Sequence, residues 1–305
     1  MPRKKIKKAL LLTLISTLFS FYTWAQPVSE SGYFQKGNVL EGMNLSSKIL
    51  GHDVAYAIYL PPGYQESTQR YPVVYLLHGF SDNETAWIQF GEVSETADRA
   101  IANREIPPMI IVMPDAKVTW YVNDVAGKDR YEDMAFREFI PFIDNNYRTR
   151  PEKEFRAVAG LSMGGYGSLI WSLHHPDMFT ACAAFSAGVF TDKEVEAISD
   201  DQYNTWFGEI YRAGNSVNRL TEHWKNNSPV DLMESLPVKQ IEQVRFYIDC
   251  GDDDFLFKGN SALHTIMRNR NIYHEYRVRN GSHNWHYWRT NIIEGLKFIG
   301  DRFHR

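Results

Sequence analysis

The sequence predicts an α/β protein, a mainly parallel, doubly wound sheet with helices on both faces. Three observations carry this expectation. Short, unbroken apolar runs recur along the chain and fit strands that are covered on both sides. Helix-like segments alternate with these runs. From Gly32 onward no Gly/Ser/Pro linker and no shift in composition divides the chain, so a single domain of about 270 residues is expected.

In chain order, residues 54–60 alternate and end at the turn Pro61-Pro62-Gly63, which predicts a strand. Residues 71–77 and 109–113 are apolar without a break and predict buried strands. Helices are expected at 93–103, 132–146 and 164–174, the last stopped by Pro176. On the second of these, Glu132, Asp133 and Glu138 read as a complement to the helix dipole and a solvated face. Further strands are expected at 155–159, 180–185, 244–250 and 273–278, and a final helix at about 287–303. The interval 187–239 interrupts the alternation, and a stretch of that length inside a compact domain predicts a lid-like insertion or binding element.

The start of the chain reads differently. Arg3, Lys4, Lys5, Lys7 and Lys8 precede an uncharged run over 9–21, followed by Thr23-Trp24-Ala25. This is the pattern of a secretory signal peptide over residues 1–25, cleaved before Gln26. The run is shorter than the roughly 20 residues that span a bilayer, although an uncleaved anchor is the alternative. An exported product is expected, periplasmic or extracellular, with no stable membrane anchor once the signal is removed.

Composition narrows the function classes. With 18 Phe, 17 Tyr and 8 Trp the chain can bury a large core, and a net charge of -4 argues against nucleic acid as a partner, since such binding needs a basic face. Two cysteines are too few for a disulfide scaffold or a cysteine-built zinc site; Cys182 and Cys250 read as buried thiols, and whether they pair is open. No cofactor and no metal is expected.

The chemistry centres on Gly160-Leu161-Ser162-Met163-Gly164. A strand enters this G-x-S-x-G segment and a helix leaves it, the setting in which a serine stands exposed on a strained turn as a nucleophile. Its hydroxyl needs a base, and the base needs an acid to orient it. Among ten histidines, His283 lies in the loop between the last strand and the last helix, where the base belongs; His286 is the rival. His52, His78 and His274 read as strand-edge residues, His174 and His175 as a helix end, and His304 as tail. The acid should follow the strand 244–250, where Asp249 and Gly251-Asp252-Asp253-Asp254 are available. Three adjacent carboxylates cannot all be buried, and Asp254 is the choice because a turn after Gly251 lets it point back towards His283. A calcium loop competes for this run, but the spacing of such a loop is missing. The oxyanion donors are expected to be the backbone amides of Met163 and of Phe80, which follows Leu77-His78-Gly79.

These blocks, together with Tyr59-Leu60-Pro61-Pro62-Gly63-Tyr64 and Gly281-Ser282-His283, resemble the esterase D / feruloyl esterase group of α/β-hydrolases, carbohydrate esterase family 1. The resemblance covers nearly all of the mature chain. It implies the α/β-hydrolase fold and an ester hydrolase with Ser162, Asp254 and His283 as its triad. Members include feruloyl and acetylxylan esterases, S-formylglutathione hydrolases, enterochelin-type esterases and mycolyltransferases, so the group fixes chemistry better than substrate. No attached carbohydrate-binding or glycanase domain is expected.

The aromatic residues Trp120, Trp206 and Trp224 are candidates for binding a phenolic acyl group or sugar rings; packing under a long loop is the alternative. The reading is an exported serine carboxylesterase acting through an acyl-enzyme on feruloyl- or acetyl-type esters of plant cell-wall carbohydrate, with a small-molecule or oligosaccharide ester as partner. An acyltransferase, another small-ester or thioester hydrolase, and a non-catalytic glycan-binding module remain as alternatives. The oligomeric state is not fixed by the sequence.

Overall fold

The computed structural model describes residues 34–212 and 218–303; the expected signal peptide and His304 lie outside them. The strands are β1 (Asn38–Ser46), β2 (Asp53–Leu60), β3 (Val73–Leu77), β4 (Ile110–Pro114), β5 (Arg156–Leu161), β6 (Ala181–Phe185), β7 (Arg245–Gly251) and β8 (His274–Arg279). They form one sheet in the order β1-β2-β4-β3-β5-β6-β7-β8. Pairing is antiparallel for β1 with β2 and for β2 with β4, and parallel from β4 through β3 to β8. Every residue of β3, β4, β5 and β6 is buried, which is why these segments are apolar without alternation except at Arg156, which pairs with Asp144. At the edges the pattern changes. β1 carries a bulge between Leu40 and Met43, with Gly42 at positive φ, and no residue of β8 is buried.

Helices cover both faces. α1 (Ala86–Gln89) and α2 (Val93–Ala102) lie on one side with the long C-terminal helix, where Val93, Ala97, Ile292, Leu296 and Ile299 pack on Ala57, Val74 and Ile111. The other face carries α3 (Tyr131–Met134), joined through a π turn (Ala135–Phe139) to α4 (Ile140–Asn146), and α5 (Met163–His174). Phe139, Ile143, Leu169 and Leu173 pack there on Tyr56, Tyr75 and Val112. Between β6 and β7 come five short helices, α6 (Asp192–Ala197), α7 (Asp200–Tyr211), α8 (Glu222–Asn226), α9 (Pro229–Ser235) and α10 (Val238–Ile241). α11 (Phe257–Asn269) follows β7, and α12 (Trp285–Phe303) is the long C-terminal helix. Four of the insertion's helices start at a hydroxyl that accepts a backbone N–H: Thr191, Ser199, Thr221 and Ser228. No helix among the described residues is long and apolar enough to cross a membrane.

The acids of the segment 132–146 do not form a solvated face. Glu132 is buried and takes His174 Nδ1 at 2.8 Å and His175 Nε2 at 2.9 Å. Glu138 accepts from the Ser47 hydroxyl at 2.5 Å and from the Lys48 and Ile49 amides, closing the turn after β1. Helical periodicity alone does not show which side of a short, π-interrupted helix meets a neighbour, and here the acids meet one.

Candidate active site

β5 runs into Ser162 and α5 runs out of it. Ser162 sits at φ 52 and ψ -117, outside the regions open to most L-residues, and this lifts its side chain out of both elements. The turn needs glycine on both sides. A Cβ on Gly160 would stand 2.4 Å from the Gly164 carbonyl oxygen, and one on Gly164 would stand 2.3 Å from that of Leu77. The strained turn is held by backbone bonds: Ser162 N–H donates to Phe185 O at 2.9 Å, and Gly188 N–H donates to Ser162 O at 2.8 Å.

His283 Nε2 lies 3.0 Å from Ser162 Oγ, and its Nδ1 lies 2.9 Å from Asp254 Oδ2. The carboxylate accepts, so Nδ1 carries the proton and Nε2 is left free to take one from the serine. Asp254 is 1% exposed while Asp252 and Asp253 face solvent, so one carboxylate of the three is buried. Burial pushes its carboxyl up, but hydrogen bonds from His283, the Ser186 hydroxyl and the Leu256 amide together hold it below the ordinary carboxylate range. The acidic turn is tied to the loop that carries the base. Asp252 accepts from Gly281 N–H at 2.9 Å, and Asp253 N–H donates to Gly281 O at 3.0 Å. Asp249, the other acid on this strand, is fully buried and taken up by Tyr247, Tyr287 and Arg279. His286 is exposed in the first turn of α12 and does not line the cavity described below.

Behind Asp254 stands a residue that the sequence reading passed over. Ser186 follows β6, has φ 42, is fully buried, accepts from Trp288 Nε1 at 3.0 Å, and helps hold the Asp254 carboxyl down. The Trp288 ring meets His283 edge-on, with centroids 4.8 Å apart. Position was the available signal: the residue just past the carboxyl end of a strand beside the nucleophile's own strand sits where sites of open α/β sheets gather.

The loop after β3 closes the other side. Ala116 N–H donates to His78 Nε2 at 2.9 Å, so that nitrogen carries no proton, and Nδ1–H donates to Gly79 O at 2.8 Å. The imidazole thereby braces the turn that presents Phe80. Met163 is the first residue of α5, and its N–H has no partner within the helix.

These elements enclose a cavity of about 480 Å³. Ser162, His283 and Phe80 line it, with an aromatic wall of Trp120, Phe190, Trp206 and Phe255 on the insertion side and Trp285 and Trp288 on the other. Trp120 is held by its indole N–H on Trp206 O at 2.7 Å, which fixes α7 to the site. Trp224 does not reach this cavity, contrary to the expectation for it. It is 4% exposed and packs between Phe207 and Tyr211, at centroid distances of 5.4 and 4.9 Å, so it belongs to the insertion's own core. Among the described residues no group of three or more His, Cys, Asp and Glu side chains is placed to hold a metal ion.

The family model named Esterase matches residues 47–299. A solved ferulic acid esterase is 32% identical and superposes with a TM-score of 0.76 over 88% of this chain and 100% of its own. The endo-1,4-beta-xylanase/feruloyl esterase of Xylanibacter ruminicola is 36% identical over 146 residues, 46% of this chain and 20% of that longer protein. An acetyl esterase of Caldicellulosiruptor saccharolyticus is 24% identical over 84% of this chain and 96% of its own. The chain therefore belongs to the Esterase family, in the group resembling carbohydrate esterase family 1, and is a serine ester hydrolase of the α/β-hydrolase fold.

Proposed function

We propose that this protein is an exported carboxylesterase that cleaves feruloyl- or acetyl-type esters on plant cell-wall carbohydrate, through an acyl-enzyme on Ser162. The observation that carries the reading is the hydrogen-bonded line from Ser162 Oγ to His283 Nε2 and from His283 Nδ1 to Asp254, open to an aromatic cavity.

His283 takes the proton of Ser162 as Oγ attacks the ester carbonyl, and the Phe80 and Met163 amides donate to the oxygen that becomes negative. His283 then protonates the departing alcohol. Water enters, gives a proton to the same nitrogen and attacks the acyl carbon, and the imidazolium returns a proton to Ser162 Oγ as the acid leaves. Asp254 holds the imidazole in the tautomer that this sequence of steps requires and stabilises the imidazolium between them. The aromatic wall suits a phenolic acyl group, and the named activities of the two feruloyl-type relatives and of the acetyl esterase support the acyl classes. Export rests on the leader at residues 1–25, and the secreted protein should begin at Gln26.

A panel of methyl ferulate, acetylated xylan and 4-nitrophenyl acetate tests the reading. Wild type should turn over the ester of its class and react with a fluorophosphonate probe, and Ser162→Ala should do neither. Turnover and labelling that survive in Ser162→Ala would overturn the nucleophile. Activity on 4-nitrophenyl acetate alone would overturn the cell-wall substrate.

A further inference from the structure

One carboxylate at the cavity has no part in the steps above. Asp82 lies in the loop that presents Phe80, and its own N–H donates to Gly79 O at 3.2 Å. A Cβ placed on Gly79 would stand 3.1 Å from Asp82 Oδ2 and 3.7 Å from Ser162 Cβ, so the carboxylate and the nucleophile share one side of that glycine. The surroundings give an anion little compensation. Of the residues lining the cavity, Asp82 and His283 alone carry titratable groups, and no lysine or arginine is among them. Burial pushes the Asp82 carboxyl up, and the opposing pull of His78 and of the Gly79 amide does not fully offset it.

A carboxylate beside the reacting carbonyl, without a cation on the same wall, discriminates by charge. Two like charges roughly 6–8 Å apart at an effective dielectric of about 20 oppose each other by about 30- to 100-fold in an equilibrium constant, less where solvent screens them. We propose that Asp82 is a charge filter of the active site: it admits uncharged esters, such as those of neutral sugars, and turns away esters that carry a free carboxylate near the scissile carbonyl. The proposal rests on Ser162 being the nucleophile.

The test compares kcat/KM for the neutral 4-nitrophenyl methyl adipate with that for the anionic mono-4-nitrophenyl adipate, at low ionic strength where charge effects are least screened. Wild type should prefer the neutral ester. In Asp82→Asn, which keeps an oxygen for the Gly79 amide and removes the charge, the neutral-to-anionic ratio should fall at least tenfold; in Asp82→Glu it should persist. Asp82→Ser gives the same reading should the Asn variant fold poorly. A ratio unchanged in the uncharged variants, with both esters slowed alike, would mean that Asp82 only shapes its loop, and would overturn the filter. Ser162→Ala in the same assay separates the two ideas. Turnover lost in that variant while the ratio ignores Asp82 sinks the filter alone, whereas turnover retained sinks the nucleophile on which it rests.

Discussion

Ser186 concentrates three demands in one small side chain. Its backbone occupies a positive φ, its oxygen takes the Trp288 indole N–H, and its hydroxyl helps hold the Asp254 carboxyl down. Removing a polar neighbour of a charged group costs about 1 kcal/mol, so Ser186→Ala should lower kcat on 4-nitrophenyl acetate by roughly fivefold. Because the group acts through Asp254 and not on the substrate, KM should move little, and steady-state kinetics reads the split directly. Asp254→Asn is the harsher change. It leaves an imidazole that can hold the wrong tautomer, which costs about 10⁴ in kcat in a comparable triad. Asp252→Asn and Asp253→Asn, at exposed positions, should cost far less, and either proving worse than Asp254→Asn would move the acid.

The insertion between β6 and β7 builds a wall of the cavity and a small core of its own, and its two tryptophans divide between them. Trp206→Ala should raise KM for a bulky aromatic ester more than for 4-nitrophenyl acetate, because Trp206 faces the cavity. Trp224→Ala should instead lower the melting temperature, at a cost of about 3–5 kcal/mol for a buried Trp truncated to Ala, and should spare the relative KM values. The insertion is also pinned to the sheet's helices, since His174 links Glu132 on α3 to the Asn226 carbonyl of α8. Burial pushes the His174 imidazole down, but Glu132 outweighs it and raises it above its ordinary 6.5; burial pushes Glu132 up, but the two imidazoles bring it from 4.5 to about 2. The His174 contribution to stability is complete below 6.5 and is lost as pH rises through the raised value. The Glu132 contribution is complete above 4.5 and is lost as pH falls towards about 2. The melting temperature should therefore be sustained between about pH 4.5 and 6.5 and decline on the alkaline side, and Glu132→Gln should flatten that decline in a pH series of thermal melts.

Over the whole molecule, both thiols lie inside the sheet layer, and burial pushes Cys182 up to about 12 and Cys250 higher still. A thiol reagent should find none in the native protein and two after denaturation, so that its rate reports opening of the core. The centre of the sheet, β3 to β6, was legible because buried parallel strands are apolar almost throughout, and β2 because its alternation ends at the turn Pro61-Pro62-Gly63. The residues that meet at the cavity were legible because they follow the carboxyl ends of those strands, at loops a sequence can mark. β1 was not, since Gly42 breaks its alternation, and α11 was not, since Gly259 and Asn260 weaken its first turn as a helix signal. Nor could residue type separate Trp206 from Trp224, or a solvated Glu132 from a buried one, because those differences arise only when distant segments meet. The bulge in β1 has its own consequence. A straight rim would offer unpaired amides and carbonyls to any passing strand, but here one rim is kinked at Glu41 and Gly42, and the other, β8, carries His274, Glu275, Arg277 and Arg279 along its length. Both rims are thus poor templates for a passing strand, which disfavours edge-to-edge stacking of crowded copies.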